Sequence, residues 1–188
     1  MALENIVLLG DARLRKLSRR VTVSEPAVSD AGETLKETLR LFRARHGFGR
    51  AIASPQIGAN LRLLACHLER GPLAQGKTFL MLNPEIIWHS QETFTLWDDC
   101  LSFPDLLVRV RRHSSISVRY TSETGETVVA EHLDAATAEL LQHEIDHLDG
   151  RLAVDLALDR ESLVSRQVFE ADPERFAEKV DGINETPE

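Results

Sequence analysis

The sequence predicts an α+β fold in which antiparallel sheets pack around a central helix carrying the segment His143-Glu144-Ile145-Asp146-His147. Three observations lead there. Strand-like runs fall between two main helical patterns instead of alternating regularly with helices. A polar turn, Glu123-Thr124-Gly125-Glu126, joins two of those runs as a hairpin. The residues leading up to His143 are largely strong helix formers, with apolar positions recurring three and four apart.

The elements follow in chain order. Ile6 to Leu9 reads as a short extended segment, and Asp30 to His46 as a helix whose apolar positions include Leu35, Leu39 and Phe42. Leu61 to Leu68 and Phe79 to Trp88 read as strands, the second interrupted by Asn83-Pro84. Arg109, Arg111 and Arg112 form a small basic cluster that reads as one solvated face of a strand. Ser115 to Tyr120 alternates apolar and polar residues and pairs through the hairpin turn with Thr127 to His132. Asp134 is placed to cap a helix running to Asp149, along which Ala138, Leu141, Ile145 and Leu148 form an apolar stripe. Gly150 is placed to end it. Leu156 to Phe169 reads as a further amphipathic helix. From Ala171 the chain is polar and charged, with Pro173 and Pro187, and reads as a loosely held tail. Residues 1–170 then form one domain and 171–188 a polar C-terminal tail.

Composition bounds the function. A chain of 188 residues, 43% of them hydrophobic, is long enough for one domain with a substantial core. No apolar run approaches the roughly 18 residues of a membrane span. The N-terminus lacks a basic region followed by an apolar stretch, so a cytoplasmic protein is expected. A net charge of −8 argues against stable nucleic-acid binding through a general basic surface. Two cysteines, Cys66 and Cys100, suit a reducing compartment better than a disulfide framework. Internal repeats are absent.

The helix motif carries the chemistry. Residues four apart on a helix share a face, so His143 and His147 can reach one metal ion, with Glu144 beside a water bound to it. A divalent cation lowers the pKa of such a water to about 7, which makes amide hydrolysis accessible at neutral pH. Two histidines do not complete a metal site. The pattern H-E-x-x-H-x-x-G-x-x-H fits as far as Gly150, but its last position is Ala153 and no histidine follows His147. The third ligand is therefore a downstream glutamate, Glu161 or Glu170, or an upstream thiolate. Cys66 lies in an apolar run, Leu63 to Cys66, and reads as a small core residue. Cys100 lies in a polar turn before Leu101-Ser102-Phe103-Pro104, and a Cys-His-His set leaves the open position that a catalytic metal needs.

Three stretches together resemble the peptide deformylase family, whose motifs are G-x-G-L-A-A-x-Q, E-G-C-L-S and Q-H-E-x-D-H. Gln142 to His147 matches the third in full; Asp98-Asp99-Cys100-Leu101-Ser102 corresponds to the second, and Gly49-Arg50-Ala51-Ile52-Ala53-Ser54-Pro55-Gln56 to the first. The resemblance covers most of the chain. It implies a metal held by Cys100, His143 and His147, Glu144 as the group that takes a proton from water, and Gln56 with the backbone N–H of Leu101 as donors to the oxyanion. It implies ferrous iron, with zinc or nickel as other occupants. It also implies N-formylmethionyl peptides or nascent chains as substrates, release of formate, and a translating ribosome as a transient neighbour. Taken alone, Gln56 would read as a surface amide before a glycine turn.

Departures from the family pattern cluster at the site. Asp98 replaces a glutamate and shortens the carboxylate by one methylene. Asp99 replaces a glycine and places a carboxylate next to the cysteine. Ala51 replaces a glycine beside the strand expected to receive the peptide, Ser54 replaces an alanine, and Leu107 stands where many members have arginine. A narrower or differently charged cleft is the expectation. Two other readings remain on sequence alone: a metallopeptidase with Glu161 or Glu170 as third ligand, and a deformylase-like binding protein without turnover.

Overall fold

The computed structural model describes residues 6–181. Helix α1, Pro26–His46, starts earlier than the apolar pattern indicates, because Pro26 pre-sets the first helical turn. It ends at Gly47, whose φ of 79° is a conformation that side chains disfavour. The strands are β1 (Ala51–Ala53), β2 (Leu63–Cys66), β3 (Phe79–His89), β4 (Thr93–Asp99), β5 (Leu106–His113), β6 (Ile116–Thr121) and β7 (Thr127–Leu133). Helix α2, Ala135–Leu148, is followed by β8 (Leu163–Ser165) and two short helices, α3 (Arg166–Ala171) and α4 (Pro173–Ala177).

Two antiparallel sheets result. One has the order β1-β2-β3-β6-β7, the other β4-β5-β8. Strand alternation puts opposite side chains of the first sheet into different cores. Ile52, Leu63, Ala65 and Leu80 pack under Val28, Leu35 and Leu39 of α1. Ala51, Ala53, Leu64 and Met81 pack against Ala138, Leu141, Ile145 and Leu148 of α2. The second sheet closes over Leu152 and Ala153 just beyond α2, through Leu96, Val108 and Val110. The motif helix is thus central, with sheets around it, as the sequence predicts. The apolar stripe is its buried face: Ala138, Leu141 and Leu148 are fully buried and Ile145 nearly so.

The Asn83-Pro84 interruption is a register shift inside a continuous β3. Asn83 takes φ 52°, and its side-chain amide exchanges hydrogen bonds of 2.8 and 2.7 Å with the backbone of Val21. Ile6 to Leu9 forms no strand. Instead Val7 N–H donates to the Gln56 carbonyl and Leu9 N–H to that of Ser102, each at 2.8 Å, so this segment fastens two loops that matter below.

Two expectations are corrected. Leu156 to Phe169 is not one helix. β8 lies along the edge of β5, and Ser165 then caps α3. Leu163 and Val168 are exposed, so their apolar spacing marks no buried helix face. The segment after Ala171 is also docked where a loose tail was expected. Phe176 is 3% exposed, packs with Trp97 and Leu107, and its carbonyl accepts the Trp97 indole N–H at 2.9 Å. Residues 182–188, including Pro187, lie outside the described residues.

Candidate metal centre

Helix α2 delivers two of the site's side chains by periodicity alone. Asp134 caps it by accepting the Thr137 N–H at 2.8 Å. His143 and His147 follow on one face, their ring centroids 4.9 Å apart. Gln142 fixes the helix to β5: its side chain accepts the His113 N–H and donates to the His113 carbonyl, both at 3.0 Å. Strand β4 ends at Asp99, and the following turn brings Cys100 over the pair, with its Sγ 3.2 Å from His147 Nε2. One ligand atom from each of Cys100, His143 and His147 lies within 4.8 Å of the others, and all three residues are buried.

The 3-10 helix Ser54–Ile57, entered directly from β1, carries Gln56 to the same place. Gln56 is 1% exposed, not the surface amide that its local context suggests. Its Oε1 accepts the Ala53 N–H at 2.8 Å, which turns Nε2 toward Cys100 Sγ at 3.5 Å and Ser102 Oγ at 3.3 Å. The Ser102 N–H donates to the Cys100 sulfur at 3.4 Å. Leu101 lies between these residues, its backbone N–H one residue from the thiol.

A buried polar network supports the ligands. Asp98 Oδ1 lies 2.9 Å from His143 Nδ1, and its Oδ2 accepts from Arg112 at 2.9 Å. The other arm of Arg112 pairs with Asp146, which also accepts from Arg151 at 2.7 Å. The shortened carboxylate of Asp98 thus still orients the first histidine, a contact that fixes ring orientation at a ligand site. Arg112 is not part of the basic surface expected of it. Alternation along β5 offered the signal, since Val108, Val110 and Arg112 share the buried face while Arg111 points out.

Electrostatics separate the titratable groups. Burial disfavours charge on His143, yet Asp98 and Cys100 beside it hold its pKa well above the ordinary imidazole value. Burial, then the neighbouring His143, pushes His147 well below that value. Burial opposes ionisation of Asp98, but His143 and Arg112 hold its carboxyl below the usual range. Burial raises the Cys100 thiol. Burial also lifts Glu144 to about 7.

The donor set fits a divalent ion. One sulfur and two imidazoles are the ligand types of zinc, iron and nickel sites, and three protein ligands leave a position open. Buried Glu144 Oε2 has no hydrogen-bond partner among the described residues, as expected of a carboxylate that would meet a metal-bound water. The glutamate alternatives lie elsewhere: Glu161 is exposed and paired with Lys179, and Glu170 is exposed on α3. Cys66 is fully buried in the core under α2.

The other sequence departures are accounted for by their neighbours in the fold. The Ala51 methyl is buried at 2% in the core between β1 and α2, so it does not narrow a cleft. Ser54 is buried and donates to the Leu61 carbonyl. The Asp99 carboxylate turns away from the thiol to Arg166 at 2.9 Å. Leu107 joins the Trp97–Phe176 cluster.

Comparison with known proteins is consistent over most of the chain. A sequence model of the family described as Polypeptide deformylase matches residues 3–162. The peptide deformylase of Bartonella tribocorum is 36% identical over 156 residues, 82% of this chain and 84% of its own. That of Pseudothermotoga lettingae is 38% identical over 154 residues, 81% of this chain and 82% of its own. The crystal structure of peptide deformylase from Thermotoga maritima superposes with a TM-score of 0.68 at 32% identity, covering 82% of this chain and 97% of that one.

Proposed function

The chain belongs to the polypeptide deformylase family, and from that premise we propose how its residues remove the formyl group from N-formylmethionyl nascent chains. The observation that carries the assignment of roles is the convergence of Cys100, His143 and His147 beside buried Glu144.

Cys100, His143 and His147 would hold one divalent ion, ferrous iron by family, with zinc or nickel as other occupants. Such an ion supplies Lewis-acid activation of water and of the formyl carbonyl. Glu144 takes a proton from the attacking water and passes it to the leaving amine nitrogen of the formamide bond. Its buried place one residue from His143 on the helix suits both transfers, because a carboxyl held beside the attacking water can accept its proton and deliver it to the leaving nitrogen. Gln56 Nε2 and the Leu101 N–H donate to the oxygen that gains negative charge as the carbonyl carbon becomes tetrahedral, and losing one such donor costs roughly 3–4 kcal/mol. Gln56 is pre-oriented for this by the Ala53 N–H, so it reorganises little during reaction. Asp98 holds the His143 ring, and Arg112 holds Asp98.

Substrates of this kind support a cytoplasmic enzyme with the translating ribosome as a transient neighbour. The net charge of −8 is in keeping with recognition of the peptide rather than of nucleic acid. No helix among the described residues is long and apolar enough to cross a membrane.

The test pairs two variants with a metal assay and a formate assay. Cys100→Ala should lose stoichiometric metal. Glu144→Gln should keep it and release no formate from formyl-Met peptides. Tight metal in the first variant, or near-normal turnover in the second, would overturn these roles.

A further inference from the structure

Arg50 and Glu139 take no part in the chemistry assigned above, yet they stand at its entrance. Glu139, His143 and His147 recur at four-residue intervals, so Glu139 lies on the ligand face of α2, one turn before the first histidine. Arg50 immediately precedes β1, the outermost strand of its sheet. Its guanidinium crosses to α2, donating to the Ala136 carbonyl at 3.0 Å and pairing with the Glu139 carboxylate.

Burial shows which way the site opens. The His147 end is closed, with Cys100 Sγ 3.2 Å from Nε2 and Gln56 1% exposed. Toward the other end side-chain exposure rises, from 7% for His143 to 13% for Glu139 and 47% for Arg50. The more exposed side is the one on which a substrate with its formyl carbon at Glu144 can extend the rest of its chain, past this pair. The surface it meets is charged.

We propose that the Arg50–Glu139 pair is the surface against which the first side chain of the formylated substrate packs, and that it favours a linear side chain ending in a hydrogen-bond acceptor over a hydrocarbon of the same length. The inference rests on the deformylase reading. A guanidinium has five N–H donors, and two are engaged here. A hydrocarbon laid over the others takes them from water and returns no partner, which is the situation in which a site rejects an analogue lacking the polar group. Glutamine supplies an amide oxygen, methionine a weakly accepting sulfur, and norleucine neither. The aliphatic stem of Arg50 still offers all three a surface to pack on.

The experiment compares formyl-Gln, formyl-Met and formyl-norleucine tripeptides of otherwise identical sequence. In the wild-type holoenzyme kcat/KM should rank norleucine last, about tenfold below glutamine. Arg50→Leu with Glu139→Leu removes both charges together and should abolish or invert that ranking. If the leucine pair does not fold, the exchange Arg50→Glu with Glu139→Arg keeps a charged pair and should keep norleucine last. Norleucine equal to or better than glutamine in the wild type, or the same ranking in the leucine pair, would overturn the inference. Absence of formate from every peptide would overturn the deformylase reading instead. Calorimetric affinities of the three peptides for metal-loaded Glu144→Gln then decide the side-chain preference, with the same ranking expected and the same results against it.

Discussion

Arg112 organises the candidate metal site without touching its metal-binding side chains. Its two arms hold Asp98 and Asp146, all three side chains being nearly inaccessible to water. Removing one partner of such a network leaves uncompensated buried charge, at a cost of about 3–5 kcal/mol. Arg112→Met should therefore lower stability by that order in urea unfolding. It should also weaken metal retention about 10–100-fold against a chelator, because Asp98 loses the group that fixes it against His143. Glu144 makes a second prediction, through its raised pKa. A carboxyl at about 7 in the folded protein, against an ordinary value of 4.5, binds more protons folded than unfolded between those limits. Its contribution to stability is thus lost as pH rises from 4.5 to about 7. In metal-free protein, Glu144→Gln should be the more stable form at pH 8 by up to roughly 3 kcal/mol, with most of the difference gone near pH 4. Urea midpoints at both pH values check this, and an unchanged difference would show that burial does not set the Glu144 equilibrium.

At the scale of elements, α2 has two ends with different duties. Asp134 accepts the Thr137 N–H at the start, and Asp134→Ala should cost about 1 kcal/mol, visible as a fall in Tm of a few degrees. The far end is less forgiving. Gly150 has φ 73°, and a Cβ there would sit 2.6 Å from the Arg15 carbonyl oxygen. Gly150→Ala must move the loop whose Ser18 N–H bonds the last carbonyl of the helix, Leu148, at 2.8 Å. It should lower Tm more than Asp134→Ala does; a smaller effect would mean that this loop yields freely. Both ends were legible in the sequence because capping is local. The strand β8 was not, since its partner β5 lies more than fifty residues away and only the pairing distinguishes it from a helix with the same apolar spacing.

For the molecule as a whole, the C-terminal segment is a brace on the second sheet. Phe176 fills a pocket with Trp97 and Leu107, and Arg166 spans from Asp99 to the Pro104 carbonyl at 2.6 Å, on either side of the Cys100 turn. Trp97 precedes Asp98 and Cys100 on the same strand and turn, so the brace and the site share a backbone. Phe176→Ala should cost about 3–5 kcal/mol, as large-to-small changes in a core do. It should also speed metal loss to a chelator, since β4 then holds Cys100 less firmly. Normal metal retention despite the lost stability would show that the brace is independent of the site.

What the sequence determined by itself was what depends on neighbours in the chain. The His143–His147 pair, the cap at Asp134, the hairpin at Gly125 and the fold class all follow from periodicity and turn chemistry over a few residues. Tertiary structure decided what depends on distant partners. The direction of the Asp99 carboxylate requires Arg166, the inward turn of Arg112 requires Asp98 and Asp146, and burial of the Ala51 methyl requires α2. Which side chain stands beside the histidine pair was open on the chain, because folding alone sets the distance from Cys100 to His147 at 3.2 Å across 47 residues. A charge shows in sequence, but its environment is made by groups brought together from elsewhere, and that environment determines whether it faces water, a ligand or a buried partner.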